Sequence, residues 1–179
     1  MNNTNKLEKS ELIKKYRKIK LVLTDVDGVL TDGCMYYSSK GEELKKFHTR
    51  DGMAVELLLQ KNIKTIIVTR EKSKIVVLRA KKIKIFKVYS NIKQKEVILN
   101  QICTKFKVTP REILFIGDDI NDEKIMKLVG LSAAPSDAIK TIKNIANIIT
   151  DASGGKGVLR EVADMIILSQ SVKSKESSK

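Results

Sequence analysis

The sequence of 179 residues has no tryptophan, one histidine, two prolines and two cysteines. Cys34 and Cys103 lie far apart and match no metal-binding spacing, so neither a disulfide framework nor a cysteine metal site is expected. No apolar run is long enough to cross a bilayer, and the basic, polar N-terminus lacks the apolar stretch of a secretory signal. These absences predict a cytoplasmic protein with reduced thiols and no membrane association.

Acidic residues are scarce relative to basic ones, because 21 Asp and Glu face 35 Lys and Arg and leave a net charge of +14. Such an excess is compatible with nucleic-acid binding, whose affinity would fall steeply with salt. Against this hypothesis, the lysines are scattered, only four Phe and four Tyr are present, and no nucleic-acid reader motif occurs. Attraction of a small anionic substrate is the simpler use of the charge. Nucleic-acid binding therefore remains the less favoured alternative.

Short apolar runs alternate with stretches of helical period, which is typical of an α/β protein with a doubly wound, mostly parallel, Rossmann-like sheet. In the helix predicted over 72–82, Ile75 and Leu78 share one face at i, i+3 spacing, and this face is predicted to point towards the sheet. The predicted helices cover 51–61, 72–82, 93–106, 121–129, 137–146 and 157–169. The predicted organisation is an N-terminal extension of residues 1–18, one domain of residues 19–169, and a disordered low-complexity tail of residues 170–179.

The segment 19–33, IKLVLTDVDGVLTDG, is an apolar run that ends in Asp25 and Asp27 and turns at Gly28. The run is typical of a strand buried in a parallel sheet, whose carboxyl edge is where open α/β sheets bind ligands. Two neighbouring carboxylates at a buried strand end repel each other, so they call for a compensating cation. Mg²⁺ is the simplest candidate. The alternative is a strand followed by an ordinary acidic turn.

A second acidic cluster makes that alternative less attractive. The segment 113–122, ILFIGDDIND, is again an apolar run, and it is followed by Asp118, Asp119 and Asp122. Because parallel strands end at a common edge, both clusters are expected there. Several converging carboxylates form an oxygen-rich site that suits a hard cation.

Two further positions continue the pattern. Thr69 ends the apolar run 65–69, TIIVT, and Lys95 begins an amphipathic segment. Taken alone, Thr69 would be interpreted as a helix cap and Lys95 as a surface lysine. Thr69 and Lys95 become informative through their order in the chain. The candidate residues follow one another at intervals that fit βα units, in the order Asp25, Thr69, Lys95 and Asp118.

The order of these motifs along the chain resembles that of the haloacid dehalogenase superfamily of phosphatases. The matching motifs are DVDGVLTDG at 25–33, the threonine of IVTREKS at 67–73, the lysine at 95 and GDDIND at 117–122. The resemblance implies that Asp25 is the nucleophile and Asp27 the general acid/base, with Thr69 and Lys95 as phosphate ligands. It also implies that Mg²⁺ is held by Asp25, Asp118 and the backbone carbonyl of Asp27, supported by Asp119 and Asp122.

The resemblance covers about residues 19–168 and is closest to one branch. The insert DGCMYYSSKGEELKKFHTRDG at 32–52, VGLSAAPSDA at 129–138 and GGKGVLREV at 154–162 resemble cap-less phosphatases of 2-keto-3-deoxy sugar acids. Their substrates are 3-deoxy-octulosonate 8-phosphate and the nonulosonate 9-phosphates, in lipopolysaccharide or sialic acid biosynthesis. The resemblance implies a small β-hairpin at about 32–50 without a large cap, and a homotetramer. The same branch includes low-activity phosphatase-like oligomerisation domains, but this chain keeps every motif acid, which favours an enzyme.

One departure from the family's motif pattern bears on the identity of the substrate. After the threonine of the third motif, octulosonate phosphatases usually read G-R, whereas this chain has Arg70 and Glu71. Glu71 and Lys82 resemble the nonulosonate branch, while Arg70 matches neither branch and would narrow the pocket or meet the sugar carboxylate. The resemblance also implies substrate contacts for Thr49 and Arg79. The choice between an eight-carbon and a nine-carbon substrate stays open at this point.

Overall fold

A computed structural model describes the backbone of residues 4–176 and the side chains of residues 10–171. The strands are β1 (Leu21–Thr24), β2 (Tyr36–Ser38), β3 (Gly41–Leu44), β4 (Lys64–Val68), β5 (Lys87–Tyr89), β6 (Ile113–Ile116), β7 (Leu131–Ala134) and β8 (Ile148–Ile149). The helices are α1 (Thr4–Tyr16), α2 (Thr49–Gln60), α3 (Lys74–Lys82), α4 (Leu99–Phe106), α5 (Glu123–Leu128), α6 (Lys140–Ile145) and α7 (Val158–Glu176). Short 3-10 turns cover Lys95–Ile98, Pro110–Glu112 and Ile120–Asp122.

Six of these strands form one parallel sheet in the spatial order β5-β4-β1-β6-β7-β8. Leu21 of β1 pairs with Lys64 of β4 on one side and with Ile113 of β6 on the other. Every residue of β1, β6 and β7 is buried, as the continuous apolar runs of parallel strands require. The predicted doubly wound α/β class is therefore confirmed. The strand order reverses between β1 and β6, which places a ligand crevice outside their carboxyl ends.

Helices cover both faces of this sheet. Alternate side chains of β1 point to opposite faces, so that Val22 packs into one apolar core and Leu23 into the other. Leu58 of α2 and Val162 of α7 belong to the first core, and Ile102 of α4 belongs to the second. Packing on both sides holds β1 firmly, and with it the residues that follow its end.

The six predicted helices all occur, with ends that differ by up to seven residues; the largest differences are at the start of α4 and at the end of α7. The predicted inner face of α3 is wrong, because Leu78 is 68% exposed, while Val76 and Ala80 are buried. The side chain of Ser73 accepts a hydrogen bond from the backbone N–H of Val76 and caps the helix at that point. The start of the helix sets its rotation, and the pair Val76 and Ala80 at i, i+4 then faces the sheet.

The two ends of the chain pack against each other. The hydroxyl of Tyr16 donates to the sulfur of Met165 at 3.0 Å, and the side-chain amide of Gln170 donates to the carbonyl of Ile19 at 3.1 Å. Because α7 continues to Glu176, the prediction of a disordered tail from residue 170 is wrong for residues 170–176. Residues 1–3 and 177–179 of the predicted extension and tail lie outside the described residues.

The segment between β1 and α2 contains an antiparallel hairpin of β2 and β3, within the predicted insert of about 32–50, and no large cap. The hairpin stands at the carboxyl edge of the sheet and exposes Tyr37 and Leu44. Within residues 4–176, no helix combines the length and the apolar character needed to span a bilayer.

Candidate active site

Asp25 follows the last residue of β1 and is only 5% exposed. Its backbone N–H donates to the carbonyl of Ile116 at 2.9 Å, which continues the sheet to the position of the carboxylate. The Asp25 Oδ1 atom accepts from the N–H of Val26 at 2.7 Å, and Oδ2 lies 2.7 Å from Nζ of Lys95. These two contacts give the carboxylate a fixed orientation at the edge of the sheet.

The turn after this strand requires glycine. Gly28 has a φ of +79°, and a Cβ atom built on it would lie 2.0 Å from Oδ2 of Asp118. The left-handed backbone and the lack of space both exclude a larger residue. The same glycine therefore brings the turn after β1 into contact with the acid that follows β6.

Asp118 and Asp122 extend the site from the end of β6. Oδ2 of Asp122 accepts from the backbone N–H of Asp118 at 3.1 Å, and Oδ1 accepts from Nζ of Lys95 at 2.6 Å. Lys95 and Asp122 are both 0% exposed. A buried ammonium thus lies between Asp25 and Asp122, which offsets part of the cost of burying the carboxylates. Asp119 is exposed, and its Oδ1 accepts from the N–H of Ile120 at 2.7 Å.

The donor set fits a divalent cation. Carboxylate oxygens of Asp25, Asp118 and Asp122 lie within 4.8 Å of one another. Among the described residues, the buried Oδ1 of Asp118 has no hydrogen-bond partner. Burial, together with the neighbouring charges of Asp25, Asp122 and Asp119, raises the pKa of Asp118 to about 8. One lysine does not neutralise this cluster, and a hard cation with oxygen ligands would.

Both oxygens of Asp122 accept hydrogen bonds from the protein. Asp122 therefore orients Lys95 and the backbone of Asp118. Among the three acids, Asp118 is the one with a buried carboxylate oxygen, Oδ1, that has no hydrogen-bond partner within the described residues. The supporting role of Asp122 stays a prediction.

Asp27 is held by a residue that sequence reasoning missed. Its Oδ1 accepts from Nζ of Lys45 at 2.6 Å, whereas its Oδ2 is buried without a hydrogen-bond partner among the described residues. The Lys45 side chain is 1% exposed and also contacts Glu42 at 3.0 Å. Burial alone would lower the pKa of Lys45, but its hydrogen bonds to Asp27 and Glu42 raise it overall. Nothing in the local sequence distinguishes this lysine from its neighbours in the insert.

Thr69 is 2% exposed at the carboxyl end of β4, as predicted. Its backbone N–H donates to the carbonyl of Tyr89 at 2.9 Å, and its Oγ1 accepts from the N–H of Glu71 at 3.3 Å. The hydroxyl therefore stabilises the turn that carries Arg70 and Glu71.

A cavity of about 330 Å³ opens over these groups. Met35, from the segment before β2, and Asn121 contribute to its wall, and sequence reasoning missed both. A larger cavity of about 430 Å³ lies near the starts of β1 and β4 and contains none of the site acids. The lining of the smaller cavity comprises Asp25, Asp27, Gly28, Gly33, Met35, Thr69, Arg70, Glu71, Asp118, Asp119 and Asn121.

Three predicted substrate contacts lie outside this lining within one chain. Thr49 is the first residue of α2, and Lys82 is exposed at the far end of α3. Arg79 donates to the carbonyl of His48 at 2.9 Å and lies 5.6 Å from the centre of the Phe47 ring. The substrate roles of Thr49, Arg79 and Lys82 stay predictions.

The family model for haloacid dehalogenase-like hydrolases matches residues 60–162 of this chain. The model covers β4, β6 and the acids that follow β6. Together with the reversal of strand order beside β1, the match defines the class of the protein as a haloacid dehalogenase-like hydrolase.

More specific relatives cover almost the whole chain. The 3-deoxy-D-manno-octulosonate 8-phosphate phosphatase of Salmonella typhi is 36% identical over 161 residues, which are 90% of this chain and 86% of that protein. The structure of the enzyme from Yersinia pestis has a TM-score of 0.87 at 35% identity and covers 90% of this chain and 87% of that one. The Moraxella catarrhalis enzyme, in complex with magnesium, phosphate and KDO, has a TM-score of 0.87 at 30% identity, with coverages of 94% and 97%. The chain belongs to the family of 3-deoxy-D-manno-octulosonate 8-phosphate phosphatases.

Proposed function

We propose that this chain is a Mg²⁺-dependent phosphomonoesterase that hydrolyses 3-deoxy-D-manno-octulosonate 8-phosphate. The observation that carries the proposal is the convergence of Asp25, Asp118 and Lys95 at the point where the strand order reverses. Family membership supports the reaction, and the names of the relatives support the eight-carbon sugar acid.

In the first half-reaction, Asp25 acts as the nucleophile. One of its carboxylate oxygens forms a bond to phosphorus, while the bond between phosphorus and the sugar oxygen breaks. Asp27 gives its proton to the departing sugar oxygen. Oδ2 of Asp27, which has no hydrogen-bond partner among the described residues, is the atom available for this transfer, since Lys45 engages Oδ1. The products are an aspartyl-phosphate and the free sugar acid.

In the second half-reaction, a water molecule attacks the phosphorus of the aspartyl-phosphate. Asp27, now a carboxylate, takes the proton of the water, and the bond between phosphorus and the Asp25 oxygen breaks to release phosphate. Lys95 and Thr69 offer a buried positive charge and a hydroxyl for the phosphate oxygens. Mg²⁺, held by Asp25, Asp118 and the backbone carbonyl of Asp27, would reduce the repulsion between the attacking carboxylate and the anionic phosphate.

Arg70 and Glu71 line the cavity beside the reacting groups, and we propose that they contact the sugar acid. A guanidinium is well suited to bind a carboxylate through paired hydrogen bonds. Because Arg70 departs from the usual pattern, it is the residue most able to alter the selectivity between eight-carbon and nine-carbon acids.

We propose a cytoplasmic homotetramer as the working form. The exposed Tyr37 and Leu44 of the hairpin, at 61% and 62% exposure, offer apolar surface for association. Contacts of Thr49, Arg79 and Lys82 with substrate would then arise at a neighbouring subunit's site. The full set of acids argues against a low-activity oligomerisation domain, and a small anionic substrate accounts for the positive charge without a nucleic-acid partner.

The decisive assay is phosphate release from a panel of eight-carbon and nine-carbon 2-keto-3-deoxy acid phosphates, with and without Mg²⁺. We expect Mg²⁺-dependent release that is fastest with 3-deoxy-D-manno-octulosonate 8-phosphate. No release from any panel member, combined with turnover of a hexose phosphate or a nucleotide, would refute the proposed substrate class.

The nucleophile is tested by Asp25→Asn. We expect turnover to fall to background, because an amide cannot form the aspartyl-phosphate, while circular dichroism and thermal unfolding show an intact fold. Substantial residual activity in the variant would contradict the assignment of Asp25.

A further inference from the structure

Lys45 is buried to a degree that is rare for lysine. Its side chain is 1% exposed, although it belongs to the hairpin segment at the surface, directly after β3. Lysine is almost never buried unless it is paired, and here Nζ lies 2.6 Å from Asp27 and 3.0 Å from Glu42. The burial of Nζ leaves Lys45 no surface with which to bind substrate directly.

The contact with Lys45 makes the two oxygens of Asp27 different. Oδ1 accepts from Lys45 at 2.6 Å and lies 3.4 Å from the hydroxyl of Thr31, whereas Oδ2 has no hydrogen-bond partner among the described residues. Asp27 lines the cavity beside Asp25. Anchoring Oδ1 therefore determines the rotation of the carboxyl group and leaves Oδ2 as the atom that exchanges a proton.

Lys45 is itself held by a second contact. Glu42 accepts a hydrogen bond from the hydroxyl of Ser73, which caps α3 directly after the turn that carries Arg70 and Glu71. A continuous series of polar contacts thus runs from Ser73 through Glu42 and Lys45 to Asp27. It connects the substrate-facing turn, the hairpin and the general acid/base.

We propose that Lys45 is a positioning residue that holds Asp27 in the orientation needed for proton transfer in both half-reactions. The inference rests on the proposed function, in which Asp27 is the general acid/base. It adds a role for the hairpin, which reaches over the sheet edge and supplies the anchoring ammonium group.

The test compares two leaving groups in the variant Lys45→Met, whose linear side chain keeps most of the volume. A sugar alkoxide needs the proton of Asp27 to depart, whereas p-nitrophenolate departs without one. General acid–base catalysis contributes roughly 10²–10⁴-fold, so we expect kcat for 3-deoxy-D-manno-octulosonate 8-phosphate to fall by about 10²-fold with little change in KM. With p-nitrophenyl phosphate, the variant should form the aspartyl-phosphate and hydrolyse it slowly.

During turnover of p-nitrophenyl phosphate, we therefore expect intact-protein mass spectrometry to detect a phosphorylated form of Lys45→Met and no phosphorylated form of the wild type. Lys46→Met is the matched control, because the neighbouring Lys46 has a 57% exposed side chain and forms an ion pair with Asp32, at 3.2 Å, away from Asp27. It should retain wild-type kinetics. Lys45→Arg keeps the positive charge and should recover part of the lost kcat.

Three results would overturn the inference: unchanged kcat in Lys45→Met, a rise in KM alone, or equal losses with both substrates and no phosphorylated protein. If Lys45→Met does not fold by circular dichroism, Lys45→Gln is measured in its place with the same two substrates. Failure of the proposed function is distinguishable, because the wild-type enzyme itself would then release no phosphate from the sugar acid.

Discussion

Asp118→Asn should stabilise the metal-free protein and abolish its response to Mg²⁺. The substitution keeps the shape of the side chain, whose Oδ1 has no protein partner among the described residues. It removes an ionisable group from a cluster in which carboxylate oxygens lie within 4.8 Å of one another. The prediction follows from the raised pKa of Asp118, about 8 instead of 3.8.

The sign of the effect follows from proton linkage. At pH 7, unfolded Asp118 has lost its proton, while the folded protein retains it, so stability falls as pH rises from about 4 towards about 8. Retaining the proton at pH 7 costs at most about 4 kcal/mol, at ~1.36 kcal/mol for each pH unit above the ordinary pKa. Partial exposure of the side chain to solvent reduces this to about 2 kcal/mol. Asparagine avoids the cost.

The assay is thermal unfolding in EDTA and in saturating Mg²⁺. For a domain of this size, about 2 kcal/mol corresponds to a rise of about 4–8 °C in the Tm of the metal-free variant at pH 7. The difference should shrink as pH falls towards 4, because Asp118 stays protonated in the folded protein while the unfolded side chain, with its ordinary pKa of 3.8, also begins to take up a proton. Mg²⁺ should raise the Tm of the wild type and leave that of the variant unchanged, since binding to the folded state stabilises it.

Asp151→Asn provides the control, because Asp151 is exposed and lies outside the lining of the site cavity. We expect it to change neither the metal-free Tm nor the response to Mg²⁺ by more than a small amount. A metal-free Asp118→Asn protein that is less stable than the wild type, or that Mg²⁺ stabilises equally, would refute the reasoning about this acidic cluster.

Two further substitutions test the packing of the site. Gly28→Ala should destabilise the protein by about 1–3 kcal/mol, since the backbone is left-handed and the new methyl group would meet the Asp118 carboxylate; urea unfolding with a normal midpoint would contradict this. Lys95→Met should cost about 3–5 kcal/mol, because it leaves Asp25 and Asp122 buried without their ammonium partner. The loss of stability in Lys95→Met should become smaller at acid pH, as the carboxylates become protonated. A loss of stability that does not depend on pH would count against an ionic cause.

Local patterns were sufficient to predict the class of fold and the main acids. The apolar runs before Asp25 and Asp118 predicted buried strands, and parallel strands end at one edge, so the convergence of the two acids was expected from the topology. The inner face of α3 was predicted wrongly because an apolar pair at i, i+3 is compatible with more than one rotation of a helix. The cap at Ser73 and the small Ala80 decided that rotation.

The sequence by itself determined the βα order, the strand-end carboxylates and the threonine and lysine between them, because each is recorded within a few neighbouring residues. Only the tertiary structure decided that Lys45 is buried against Asp27, 18 residues away along the chain. It also decided that α7 continues past residue 169. Such contacts depend on how segments that are distant in the chain pack against one another. A local pattern of residues does not specify the spatial distance between such segments.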